Sequence, residues 1–203
     1  GRRTQEGEPV NRRKLLKTIG AAPAAAVAFT LTPKDAEAAL RDIAQETAAG
    51  AAYQPRFFSV QEYATIVALS DLIIPRDDRS GSASDAGAPE FVDYIVSPQP
   101  ERQTPMRGGL ASIDAECRRR FDKRFLACMD TERRQVLDDI AYPAKARREF
   151  SHGVRFFTQL RDLVATGFFS SKVGVADIGY LGNRPTSWDG TPVEILRKLN
   201  LEG

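Results

Sequence analysis

Along most of this chain the apolar residues recur every three or four positions, the spacing of one helix face. Ser59-Val60-Gln61-Glu62 fits a capping box, in which Ser and Glu bond each other's free backbone N–H groups. Behind it Tyr63, Ile66, Val67, Leu69, Ile73 and Ile74 hold the helical spacing until Pro75 ends the run. Residues 76–87 are polar and rich in Ser, Asp and Gly, which reads as a loop. Pro89 suits the first turn of a helix carrying Phe91/Ile95 and Val92/Val96 four apart. Pro98, Pro100 and Pro105 then mark an extended connection, and Gly108-Gly109 opens a charged helix to about Arg124, with Leu110, Ile113, Cys117 and Phe121 inward. Asp130 is the expected N-cap of a helix to Ala141 that turns Val136, Leu137 and Ile140 inward. Pro143 is expected to start the longest helix, through Phe150, Val154, Phe157, Leu160, Val164 and Phe168. After Gly167 the pattern stops. Residues 170–192 hold Gly174, Gly179, Gly182 and Gly190 with Tyr180, Pro185 and Trp188 between them, an ordered coil rather than a linker. Val193 to Leu199 adds a short last helix. No run alternates with a period of two. The expected fold is all-α, a compact bundle of roughly five or six helices over residues 57–203 with a long ordered C-terminal loop.

The front of the chain has a different pattern. Asn11-Arg12-Arg13-Lys14-Leu15-Leu16-Lys17 precedes an uncharged, Ala-rich and mildly apolar stretch from Thr18 to Thr32. Basic, apolar, then small-residue order is the layout of an export signal. The apolar stretch is shorter than the about 20 residues a membrane span needs, and Pro23 interrupts it. Ala36-Glu37-Ala38 supplies an A-x-A cleavage pattern, so residues 1–38 read as a leader and the mature start falls near Ala39. The pair Arg12-Arg13 with Leu16 and Lys17 behind it resembles a twin-arginine signal, the route of proteins exported already folded. Asn11 stands where Ser or Thr is usual and Leu15 where Phe is usual. The competing reading of this segment is a basic, amphipathic or disordered tail. Residues 39–56 then form a linker with a short helix, broken at Gln54-Pro55.

Charge separates these two regions. Residues 1–38 hold seven Lys/Arg against four Asp/Glu, whereas the remainder holds 22 against 23. The body therefore lacks the charge excess of a nucleic-acid binder, and no nucleic-acid partner is expected. Arg118-Arg119-Arg120, Lys123, Arg124, Arg133 and Arg134 are interleaved with Glu116, Asp122, Asp130 and Glu132, the pattern of a solvated helix face.

Catalytic chemistry is sparse. There is no strand-linked G-x-G-x-x-G, P-loop, C-x-x-C or H-E-x-x-H, and His152 is the single histidine. No catalytic, cofactor-binding or metal-ligating residue is assigned. Asp71, Asp77, Asp78 and Asp85 are candidate carboxylates for calcium or acid–base work, set against a reading as turn-forming residues of a solvated loop. Cys117 and Cys128 lie eleven residues apart, about 16 Å on one unbroken helix and too far to bond. A turn between Phe125 and Asp130 would bring them within reach. Three states stay open: a disulfide between them, two buried thiols, or a bridge to a partner.

Three segments together resemble one family. They are Tyr63 to Pro75, ending Asp71-Leu72-Ile73-Ile74-Pro75; Asp85-Ala86-Gly87-Ala88-Pro89-Glu90-Phe91-Val92-Asp93; and Phe168 to Gly174 with Ile178-Gly179-Tyr180-Leu181-Gly182-Asn183 and Trp188-Asp189-Gly190. The resemblance, over about residues 57–192, is to the gluconate 2-dehydrogenase subunit 3 family, the small subunit of flavin-dependent sugar and polyol dehydrogenases. It implies a large partner flavoprotein of the glucose-methanol-choline (GMC) oxidoreductase type, which carries the FAD and the active-site histidine. It further implies a periplasmic complex, membrane-associated through its other subunits, that passes electrons to a cytochrome c or another acceptor. The small subunit would carry the export signal for both chains and would hold no cofactor itself. An independent periplasmic helical ligand-binding module, or a small cofactorless enzyme using the carboxylates, is the alternative. Phe168, Phe169, Tyr180, Leu181, Gly182 and Trp188 are the candidate partner interface, because so apolar a loop is more than a free monomer usually exposes. The other reading folds that loop back over the helical core.

Overall fold

Thr32-Pro33-Lys34-Asp35 begins the first helix of the structure, a computed structural model that describes residues 31–47, 52–180 and 193–198. The Asp35 carboxylate accepts from the Thr32 N–H at 3.0 Å and hydroxyl at 2.7 Å, with Pro33 in the first turn. The helices are α1 (Pro33–Thr47), α2 (Val60–Ile73), α3 (Ala88–Val96), α4 (Pro100–Phe121), α5 (Asp130–Ala141), α6 (Ser151–Ser170), α7 (Lys172–Asp177) and α8 (Val193–Lys198). Single 3₁₀ turns, Phe125–Ala127 and Arg148–Phe150, precede α5 and α6. No strand occurs among the described residues, and the fold is all-α as expected.

The helix α6 is the axis of the bundle and packs against α1, α2, α3, α4, α5 and α7. Phe156, Phe157, Leu160, Leu163, Val164 and Phe168 give it a wide apolar stripe that is buried throughout. Its neighbour α3 is apolar nearly all round, with Phe91, Val92, Ile95 and Val96 all buried. The helix α4 comes so close that a Cβ on Gly109 would lie 2.0 Å from the Phe156 ring. Two expected features agree in detail. Ser59 and Glu62 form the reciprocal capping box, at 2.8 and 3.2 Å, and α2 stops just before Pro75.

Several boundaries differ from expectation. The short helix expected within residues 39–56 starts earlier, at Pro33, and runs to Thr47 with Ala36, Ala39 and Ile43 all buried. The connection expected across Pro98–Pro105 is the beginning of α4, with Pro100 in its first turn and Pro105 inside it. Pro105 forgoes one backbone bond, which burial of Met106, Gly109 and Leu110 along the same face offsets. That makes α4, at 22 residues, longer than α6 at 20. The latter begins at Ser151 rather than Pro143, since residues 143–149 are mostly exposed and offer no apolar face to hold a helix. Finally, α7 interrupts the coil expected at 170–192.

Candidate functional site

The candidate interface begins where α6 ends. Phe168 is fully buried and belongs to the core, which corrects its placement on a partner-facing surface. Phe169, half-buried, stands edge-on to it with ring centroids 5.1 Å apart. Ser171 then turns the chain, donating its hydroxyl to the Phe168 carbonyl at 2.7 Å and accepting from the Gly174 N–H at 3.1 Å, which caps α7. Gly174 is a packing glycine rather than a turn glycine. A Cβ there would sit 2.0 Å from the Phe168 carbonyl oxygen.

The far end of α7 is closed equally tightly. The Tyr180 N–H donates to the Val175 carbonyl at 3.2 Å and the Gly179 N–H to Ala176 at 3.1 Å. With Gly179 at φ 67° this is a Schellman motif. Its geometry leaves Ile178 and Tyr180 facing solvent, 51% and 57% exposed. The Arg79 guanidinium donates to the Asp177 carbonyl at 2.9 Å, so a cation lies at the negative end of α7. Phe169 thus stands near the end of α6, and Tyr180 follows α7, the short helix packed on α6. Arg12, Arg13, Leu16, Lys17, Leu181, Gly182 and Trp188 lie outside the described residues.

Local hydrogen bonds occupy three of the four candidate carboxylates near Arg79. Asp71 accepts from the Ser84 N–H and hydroxyl, both at 2.9 Å, and Asp77 from the Arg79 and Ser80 N–H groups. Asp85 accepts from the Ser82 N–H at 2.6 Å, and both its oxygens accept from Arg76 Nη2 at 2.7 Å. These contacts, the Ser82 backbone first, hold the Asp85 carboxyl below its ordinary range. No group of three or more His, Cys, Asp or Glu is arranged to hold a metal among the described residues. His152 is exposed on α6.

Cys117 and Cys128 are both buried and unbonded to each other or to another cysteine. Asp122, at φ 56°, ends α4 and turns the chain. Asp114 then fixes the return, accepting from the Phe125 N–H at 2.9 Å, while Arg133 donates to the Phe125 and Leu126 carbonyls. The two thiols thereby become neighbours. Burial, and then the nearby Cys128, push the Cys117 thiol up to about 12.

Two polar residues were missed by periodicity. Asp93 is fully buried on α3 and accepts four hydrogen bonds. Its Oδ2 takes the Tyr53 hydroxyl at 2.9 Å and the Arg56 N–H at 2.6 Å, and its Oδ1 takes the Phe57 and Phe58 N–H groups at 3.1 and 3.0 Å. Arg161 is buried on α6 beside Asp162 at 2.9 Å. The available signal was a charged residue on an otherwise apolar helix face.

The family model for gluconate 2-dehydrogenase subunit 3 matches residues 60–190, from the start of α2 to beyond α7. The chain belongs to the gluconate 2-dehydrogenase subunit 3 family. A member of that subunit family is a component of a dehydrogenase complex. The helix α1 and the Asp93-bound segment 53–58 precede the subunit 3 match, yet both pack on it. No curated protein and no solved structure matches the chain.

Proposed function

We propose that this chain is the non-catalytic small subunit of an exported FAD-dependent sugar or alcohol dehydrogenase. In this role it carries the export signal at Arg12-Arg13 and assists folding, assembly and stability of a large GMC-type flavoprotein. The observation that carries the reading is the subunit 3 match over residues 60–190, which includes a solvent-facing Ile178–Tyr180 turn after α7. A tyrosine such as Tyr180, apolar with a polar tip, is of a type enriched at protein interfaces.

FAD belongs to the partner in this reading. A dinucleotide's pyrophosphate is held by a glycine-rich turn between a strand and a helix, and the described part of this chain offers helices joined to helices. The oxidation of a CH–OH group and the electron transfer to a cytochrome c or another acceptor then take place outside this subunit. Its location is periplasmic, on the membrane through the complex.

Fractionation tests this reading. In cells expressing both chains, the double change Arg12→Lys, Arg13→Lys removes the paired guanidinium groups that an export receptor reads. The flavoprotein's dehydrogenase activity is expected to move from the periplasmic to the cytoplasmic fraction. Undiminished periplasmic activity would overturn the carrier role.

A further inference from the structure

Ala36-Glu37-Ala38 has the small-x-small pattern at which a leader is cut. The fold gives the same residues another task. Ala36 and Ala39 are each 1% exposed and, with Ile43, pack α1 onto the bundle against α3 and α6. The helix is fixed at both ends. Thr32 and Asp35 cap its beginning, and farther along the Tyr94 hydroxyl donates to Asp42 at 2.6 Å while Arg56 pairs with Glu46. A peptidase needs its substrate extended and accessible, and proteolysis concentrates where backbone is exposed and unbonded. The bond after Ala38 is helical rather than extended, and although the Ala38 side chain faces solvent, Ala39 on the far side of the bond is buried. Its backbone lies in the second turn of a capped helix whose inner face is in the core.

We propose that α1 is a permanent part of the mature domain, and that processing leaves Pro33–Thr47 attached. This inference rests on the export reading for its setting. A chain exported already folded meets the peptidase with α1 docked, so cutting at Ala38 requires local unfolding of α1. A cut before Thr32 requires none of the contacts just described to break. The expected leader boundary at residue 38 therefore moves toward the N-terminus, and α1 joins the domain although it precedes the family match.

Two measurements on the full-length chain decide it. N-terminal sequencing and intact mass of the exported protein are expected to retain Pro33–Thr47. An exported chain that starts at Ala39 overturns the inference and leaves the export reading standing. The second measurement compares Ala36→Gln with Ala38→Gln. As peptidase determinants the two positions are equivalent, since both must be small; in the folded helix one is buried and the other faces solvent. A36Q is expected to melt several degrees lower, or to fail to accumulate, while A38Q melts like the parent and is processed normally. Equal melting of the two variants overturns the inference. A protein found intact in the cytoplasm alone counts against export, and the melting comparison then still decides the place of α1.

Discussion

Asp93 shows how one residue can organise a part of the chain that lacks regular structure. The segment 53–58 lies between helices, so its N–H groups need partners other than a ladder or a helix. Three of them, from Arg56, Phe57 and Phe58, converge with the Tyr53 hydroxyl on one buried carboxylate. Hydrogen bonds to a charged acceptor contribute roughly 1.5–3 kcal/mol each and leave costly orphans when broken. Asp93→Asn keeps the shape but turns an amide N–H₂ toward two of these donors. It is expected to cost about 3 kcal/mol, whereas Tyr53→Phe, which removes one bond, costs about 1 kcal/mol. Chemical denaturation of the two variants checks the ranking. Asp93 stands in the Asp85–Asp93 segment that carries the family resemblance, yet its role was not legible there. Its partners are 35 to 40 residues away in sequence, and no local pattern encodes such a contact.

At the scale of elements, what was legible was whatever the local sequence settles alone. The Ser59–Glu62 box and Pro75 fixed both ends of α2, because caps and prolines act within one turn. Boundaries set by packing were not legible. Pro105 reads as a helix breaker, and residues 143–149 as helix formers, until one knows which face meets α6. Gly108 and Gly109 make the same point within one dipeptide. A Cβ on Gly108 meets nothing within 4 Å, whereas one on Gly109 would enter the Phe156 ring. Gly108→Ala is therefore expected to stabilise α4 by roughly 0.5–1 kcal/mol, the ordinary gain for alanine in a helix interior. Gly109→Ala is expected to destabilise by about 1–3 kcal/mol or more through overpacking. Thermal melts should move in opposite directions, by about 2–4 °C per kcal/mol for a domain of this size.

At the scale of the whole molecule, the C-terminal residues point to the family on sequence alone, and the match over residues 60–190 agrees. Which of those residues face outward was less legible. Phe168 and Phe169 are adjacent aromatics, but the 3.6-residue period of α6 places the first in the core and leaves the second at its margin. Tyr180 and Ile178 face solvent because Gly179 adopts a left-handed conformation that reverses the chain there. Arg79 bonds the Asp177 carbonyl at the edge of that turn, and Ser171 caps the other end of α7.

The most direct test of the proposed role is the affinity of this chain for the proposed large flavoprotein, measured by titration calorimetry on the parent and on Tyr180→Ala. Tyr180 is more than half exposed in the subunit, so its truncation should leave the melting temperature within about 1 °C, as surface changes usually do. As an interface anchor it should cost about 2 kcal/mol of binding, a rise in Kd of about 30-fold. An unchanged Kd in the variant, or a parent chain that does not bind the flavoprotein, would contradict the assignment of this end of the bundle as the partner-facing surface.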